Sequence, residues 1–577
     1  MMTVYNNNND NDVNVKDLDL EKNGIESTNL TLTASNISGD SPTANNVVEG
    51  GSGQEDLSEA SGNSSHGQDQ DASSHGRNGR KMTIVLILGS LALAVATTAD
   101  FDFFSKPNLL FSDKAKNGSI GLQVLLKKSE SEVQVQCGDV VSWKVSLEEN
   151  LVCDAPDGVP NSDAALTLDG PNAVLKCKGK SNKVKIVQNG GDASTCGALD
   201  GYDGNLEADP NKAEAIKDEC DLPFLYGVKL LNGAKAVGCD IENFLVGAYV
   251  GQGAKELSDV TVSNNRYGVV IETNKKVKIT NITAKDNGQF GILASNDGTS
   301  IFVEEYTPGG SIALKNLIAS GNGGNGIEIQ GSDISINSAV VIGNGLSLSS
   351  LGTYYSGIVI KFSTNIELKE IMASSNKRDG IRILVSDGIS VINTEVTGND
   401  SGILIFYSKN IDLKNIAANG NRFSGIAIDL IDPRGMKNLE NIEANNNLFG
   451  IIINCRRRDF EMSWKGRISL DENFQGLRFE NAIRTRGRIT ISGELTVDNN
   501  ESRGIDFIVS LLSYVTISIA EDASFSACGN GGYDIYARGT DFTLAMEEGS
   551  TGTCVVGSTN DDYYVKLPTQ CGRTCPA

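Results

Sequence analysis

Twelve short aliphatic runs, each opened by a glycine, recur along this chain, and their spacing limits its possible folds more than any other feature. The anchors are Gly227, Gly247, Gly268, Gly291, Gly326, Gly357, Gly380, Gly402, Gly425, Gly450, Gly476 and Gly504, with most steps 20 to 28 residues long. An asparagine stands four residues before the glycine at Asn264, Asn287, Asn322, Asn376, Asn421, Asn446 and Asn500, and three before it at Asn399 and Asn473. A period of this length marks a solenoid, in which each unit packs only on its neighbours.

Inside one unit the pattern has period two. Gly402-Ile403-Leu404-Ile405 alternates, Asn410-Ile411-Asp412-Leu413 alternates again, and Ala418-Asn419-Gly420-Asn421 supplies turn chemistry. Strands are therefore expected, with Ile403, Ile405, Ile411, Leu413 and Ile416 pointing inward. Burial at about 1.5–3 kcal/mol for each of these cannot offset the ordering of a whole unit at about 1–2 kcal/mol per residue. One coil alone cannot fold. Stacking resolves this, because each strand then pairs in parallel with its counterpart about 4.8 Å away, and the asparagines bond to one another inside a turn. The handedness of parallel strand connections makes the coil right-handed. A content of 63 glycines with 6% aromatic residues fits such a turn-dense chain.

The pattern N-x-x-x-G-I-x-I followed by I-x-L resembles the right-handed parallel β-helix repeat family, the pectin-lyase-like fold. The resemblance is strongest over residues 222–537 and implies an all-β solenoid. It does not imply one activity, since the family holds lyases, hydrolases, epimerases, adhesins and structural proteins. Its hydrolases carry NTD, paired aspartates and GHG; here Asn393-Thr394 is followed by Glu395, and the two histidines, His66 and His75, precede the repeats. Its epimerases carry DPHD-like text, for which Asp432-Pro433-Arg434-Gly435 offers no histidine. Its pectate lyases use an arginine base with calcium held by clustered carboxylates, and the chain has those residue types without the motif. No cofactor is therefore certain, and calcium is implied only if the protein is lyase-like.

Positions two and four after each glycine should face outward on one continuous sheet. Lys361 and Arg382 are candidate bases of a β-elimination there, and Asp429 is a candidate metal-binding or hydrogen-bonding carboxylate. Glu328, Phe406, Arg456, Arg478 and Glu480 are candidate substrate-binding residues. Charge neutralisation, a stacking surface and a proton-transfer group would then lie within a few coils. A solvated strand face has the same composition. The overlong coils before Gly326 and Gly357 bring Tyr306, Tyr354 and Tyr355 beside this face, for sugar stacking or for plain packing. Residues 455–488 hold nine arginines and lysines against five acids, a patch suited either to carboxylated or sulfated glycans or to pairing within the protein.

A net charge of −23 argues against a nucleic-acid partner. Residues 1–81 are acidic, rich in Asn and Ser and expected to be disordered. Residues 82–99 form an apolar run with two readings, a single-pass signal anchor or a cleaved secretory signal. Residues 100–221 read as a cysteine-rich cap with the first coils, 222–537 as the β-helix core, and 538–577 as a C-terminal cysteine-containing cap. Cys137, Cys153, Cys177, Cys196, Cys220 and Cys239 form one set and Cys528, Cys554, Cys571 and Cys575 another, consistent with disulfides in an oxidising compartment; Cys455 is left over as a buried thiol. Downstream of the apolar run, sequons stand at Asn117, Asn281, Asn399 and Asn500. The expected function is a surface or secreted β-helix protein that interacts with polysaccharide or glycoconjugate, and with the membrane through residues 82–99 if these are retained. The alternatives are a polysaccharide lyase-like enzyme and a structural or adhesive surface protein.

Overall fold

The computed structural model describes residues 135–154, 163–177, 183–189, 193–194, 222–296, 310–346, 355–430, 436–455, 459–480, 486–546, 551–552 and 563–565. Among them every regular element is a strand, and no helix is long and apolar enough to cross a membrane. The leader, the apolar run 82–99, Asn117, Cys196, Cys220, Tyr306, Tyr354, Arg456, Cys554, Cys571 and Cys575 lie outside the described residues, as does the side chain of Cys455.

The strands fall into three parallel ladders, one rung of each per coil. In the coil that opens at Ser401, strand Ser401–Phe406 belongs to the first sheet, Lys409–Leu413 leads the second, and Ile416 with Ala417 the third. Ile403 lies between Ile381 and Ile426, and Ile411 between Ile389 and Met436. The same pairing runs from Asp139–Val141 to Tyr533–Met546, where an antiparallel strand, Tyr563–Val565, closes the first sheet. This is the right-handed parallel β-helix that the repeat implies. Its core is a continuous apolar column, mostly aliphatic, in which Ile403, Ile405, Ile411 and Leu413 are fully buried and Ile416 nearly so.

Between the second and third sheets the chain bends at a single left-handed residue: Asp259, Asn281, Asn316, Ser338, Glu370, Asn393, Asn415 and Asn441 all have positive φ. Asn and Asp tolerate this region best because a short polar side chain bonds locally. Their side chains link coil to coil, as Asn281 Nδ2 donates to Asp259 at 2.7 Å and Asn415 Nδ2 to Asn393 at 2.7 Å.

A second ladder is buried at the turn into the first sheet. It runs through Asn265, Asn287, Asn322, Asn344, Asn376, Asn399, Asn421, Asn447, Asn473, Asn500 and Asn530. The sequence spacing pointed to Asn264 and Asn446; both are exposed left-handed residues, and their neighbours Asn265 and Asn447 carry the ladder. Asn344, displaced by the long coil, was not foreseen.

This ladder explains the anchor glycines. A Cβ on Gly402 would stand 2.5 Å from the carbonyl oxygen of Gly425 and 3.0 Å from Nδ2 of Asn421; on Gly357 it would stand 2.6 Å from the Gly380 carbonyl oxygen and 2.7 Å from Asn376 Nδ2. The glycine faces inward onto the asparagines, and a side chain has no room.

Disulfides join Cys137 to Cys153 and Cys177 to Cys239, the second bridging strand ends of the second and third sheets, and Cys528 is also disulfide-bonded.

Candidate functional site

Because the glycine and the isoleucine after it both face inward, the alternation breaks once per coil. The outward positions of the first sheet are therefore −1, +2 and +4 relative to the glycine. The +2 and +4 positions are those read from the sequence; the −1 position was missed. Its signal is a recurring i, i+3 pair across Gly-Ile: Asn325 with Glu328, Asp379 with Arg382, and Arg503 with Asp506.

Register fixes the outward columns. Column +4 reads Gln330, Lys361, Leu384, Phe406, Asp429, Asn454 and Glu480 in successive coils, and column +2 reads Glu328, Val359, Arg382, Leu404, Ala427, Ile452 and Arg478. All candidate residues except Arg456 thus share one face. At about 4.8 Å per coil, Lys361 and Arg382 are diagonal neighbours, whereas Asp429 is three coils, or about 14 Å, from Lys361. Lys361 and Asp429 therefore do not meet at one point of the face.

At one end of this face the charges are tightly paired. Lys361 Nζ lies 2.7 Å from Glu328 Oε1. The carboxylate of Glu328 also accepts the amides of Asn325 at 2.7 Å and Gln330 at 2.9 Å. Arg382 Nε is 3.8 Å from Asp379 Oδ2, beyond hydrogen-bond range, while the Ser356 hydroxyl donates to that same oxygen at 3.2 Å. Burial raises the Asp379 carboxyl above the usual aspartate range, and burial also lowers the Arg382 guanidinium below its ordinary value, with Asp379 opposing. Aromatic rings flank this end: Tyr267, Phe290 and Tyr355 follow one another at centroid distances of 5.8 and 6.4 Å. Burial pushes the Tyr267 phenol up.

The middle of the face is apolar and partly open. Leu384, Leu404, Phe406 and Ala427 line it, and the Phe406 ring lies 3.8 Å from that of Tyr407, tilted by 32° to it; Tyr407 is exposed. Phe423, Leu448 and Phe474 are exposed on the turns that enter these strands, and Phe423 packs edge-on against Phe449 at 5.2 Å.

Paired charge returns at the other end. Arg478 Nη2 meets Glu480 Oε1 at 2.7 Å while its guanidinium lies over the Phe449 ring at 4.8 Å. Arg503 Nη1 donates to both Asp506 oxygens at 2.9 Å and its guanidinium lies 4.0 Å from the Tyr536 ring centre. Burial raises the fully buried Asp506 carboxyl, with Arg503 opposing.

Calcium of the kind a lyase-like protein would use needs several free carboxylates together. Among the described residues no group of three or more potential metal ligands is assembled, and Glu328, Asp379, Glu480 and Asp506 each face a cation of the chain itself.

No protein-family model matches the chain, and no curated protein matches it in sequence. Comparison with solved structures does give matches, at low sequence identity. The A-module of mannuronan C-5 epimerase AlgE4 from Azotobacter vinelandii matches at 13% identity and a TM-score of 0.32, over 72% of this chain and 91% of its own. The periplasmic alginate epimerase AlgG matches at 12% identity and 0.29, over 56% and 78%. A tailspike protein of Acinetobacter baumannii bacteriophage Fri1, a capsular polysaccharide depolymerase, matches at 12% and 0.32, over 55% and 58%.

Proposed function

We propose that the outward face of the first sheet binds a carbohydrate polymer, and that the protein works outside the cytosol, secreted or anchored through residues 82–99. The observation that carries this reading is the order of groups along the face: the polar pairs at Glu328/Lys361 and Asp379/Arg382, the apolar strip of Leu404 and Phe406, then Arg478/Glu480 and Arg503/Asp506. A sugar ring has an apolar C–H face and a hydroxyl rim. The strip offers the first a flat surface, and the partly exposed side chains of Lys361, Arg382, Arg478 and Arg503, held in place by their acids, offer the second donors without a large ordering cost, with Glu480 as an accessible acceptor. One outward row per coil repeats at about 4.8 Å, comparable with the length of a pyranose unit in a chain. The disulfides support an oxidising compartment.

The same face carries a second reading, a β-eliminating lyase. Arg382 favours it, because a guanidinium lowered by burial gives up a proton more readily, and its Nε makes no hydrogen bond. Asp429 would then hold a neighbouring sugar.

The test incubates the full chain with neutral, uronate and sulfated polysaccharides, with and without calcium, following binding, unsaturated-uronide absorbance and new reducing ends. Binding that falls about fivefold in Phe406→Ala supports the first reading, from a stacking contribution of about 1 kcal/mol. Absorbance that disappears in Arg382→Gln supports the second. Absence of binding to every polymer overturns both.

A further inference from the structure

The second sheet carries a separate groove that the first-sheet site does not use. It has a volume of about 630 Å³ and is lined by Asp459, Glu461, Arg486, Arg488, Tyr514 and Thr516. The strands beneath it dictate its layout. Phe460 faces inward and its ring occupies the space that a side chain at position 487 would take, since a Cβ on Gly487 would stand 2.3 Å from it. The residues on either side of Gly487 therefore both face out. In register, Glu461, Arg488 and Thr516 form one outward column, and Arg486 with Tyr514 another, with Asp459 immediately before the strand that pairs with theirs. Two guanidinium groups thus project from positions about 6.7 Å apart along one strand, with a phenol and a hydroxyl about 4.8 Å away in the next coil.

The two arginines differ from those of the first sheet in one respect. Arg382, Arg478 and Arg503 each have an acid within reach. Among the described residues neither the Arg486 nor the Arg488 guanidinium makes an ion pair or hydrogen bond, and both residues are exposed. Asp459 meets Arg486 through the main chain, one of its oxygens accepting the Arg486 N–H at 2.9 Å, and makes no ion pair with the guanidinium. A pair of uncommitted planar donors beside a hydroxyl and an exposed ring is suited to a planar or tetrahedral anion on a ring-shaped carrier.

From this geometry we infer that the groove is a second binding site, for a sugar bearing a carboxylate or sulfate group. Arg486 and Arg488 hold the anion, Tyr514 packs on the ring, and Glu461 accepts hydroxyl groups from the coil below. The inference rests on the carbohydrate reading for the nature of the carrier, while the anion requirement comes from the unpaired arginines alone. It divides recognition between two faces: a charge-compensated one that reads sugar shape, and this one that reads charge.

The experiment measures binding of the full chain to a heparin-derived octasaccharide, to an oligogalacturonate of equal length and to a neutral oligosaccharide, by calorimetry at two salt concentrations. The wild type, R486Q/R488Q, R486K/R488K and Phe406→Ala are compared. The inference expects R486Q/R488Q to lose about tenfold or more of its affinity for at least one anionic probe, with a weaker salt dependence. The lysine variant should recover part of it, and the neutral probe should be unchanged. Arg486 and Arg488 are exposed, so an unchanged melting temperature verifies the fold of both double variants. Anionic binding that survives R486Q/R488Q but falls in Phe406→Ala overturns the groove and leaves the first-sheet reading standing. Binding of the neutral probe alone, or of no anionic probe, overturns the groove as well.

Discussion

Replacing Asn421 by alanine should remove far more stability than removing an exposed asparagine from the same coil. Asn421 Oδ1 accepts the main-chain N–H of Asn399 at 3.1 Å and its Nδ2 at 3.2 Å, and Asn421 Nδ2 donates to the Val396 carbonyl at 3.0 Å. Asn399 and Val396 are buried, so water does not replace the lost partner. Two buried backbone groups each left unsatisfied cost about 1–3 kcal/mol, giving about 2–6 kcal/mol for Asn421→Ala. The comparison is Asn415→Gly, chosen because glycine adopts the φ of 53° at that position without strain. It removes two side-chain bonds, to Asn393 at 2.7 Å and from Asn441 at 2.9 Å, but on the surface. Solvent takes over there, and the loss should be about 1 kcal/mol or less. Urea unfolding followed by circular dichroism and by tryptophan fluorescence measures both, and agreement of the two probes checks that unfolding is cooperative. If Asn421→Ala costs no more than Asn415→Gly, the buried ladder is not what ties successive coils together.

Two further outcomes follow from the same geometry. The raised Asp379 carboxyl holds its proton more tightly folded than unfolded, so its contribution to stability is complete below about pH 3.8 and is lost as pH rises through the higher folded value. Asp379→Asn, uncharged throughout, should flatten the decline of the urea midpoint with rising pH in that window; an unchanged slope would mean that the carboxyl is not buried as described. When the protein is made through a secretory pathway, peptide mapping should find glycan on the exposed Asn281 and none on Asn399 or Asn500, which are buried in the ladder; glycan on either ladder residue contradicts the register of its turn.

The coil and its inward face were legible in the sequence because period two and a recurring length report the strands directly. Ile403 and Ile405 are buried, and Lys361, Arg382, Phe406 and Asp429 stand on the outward face as their spacing from the glycine requires. The −1 row was not legible by strict alternation, because Gly402 and Ile403 face the same way, and the asparagine ladder that compels this lies in the neighbouring coil. Where two asparagines are adjacent, as at 264–265 and 446–447, composition does not distinguish the left-handed turn residue from the ladder residue; only the backbone does. The pairing of Lys361 with Glu328 was equally hidden, since these residues are 33 positions apart and meet only once one strand is laid on the next.

The inward-facing glycine has a consequence for how such a chain can change. Gly402-Ile403-x-Ile405 and Gly425-Ile426-x-Ile428 present the same inner text, yet the outer letters are Leu404 and Phe406 in one coil and Ala427 and Asp429 in the next. What holds the coil and what the coil displays are written in separate residues. Drift at the displayed positions leaves the packing intact, so specificity in a protein of this design can be revised one line at a time, while the glycines and their asparagines stay in place.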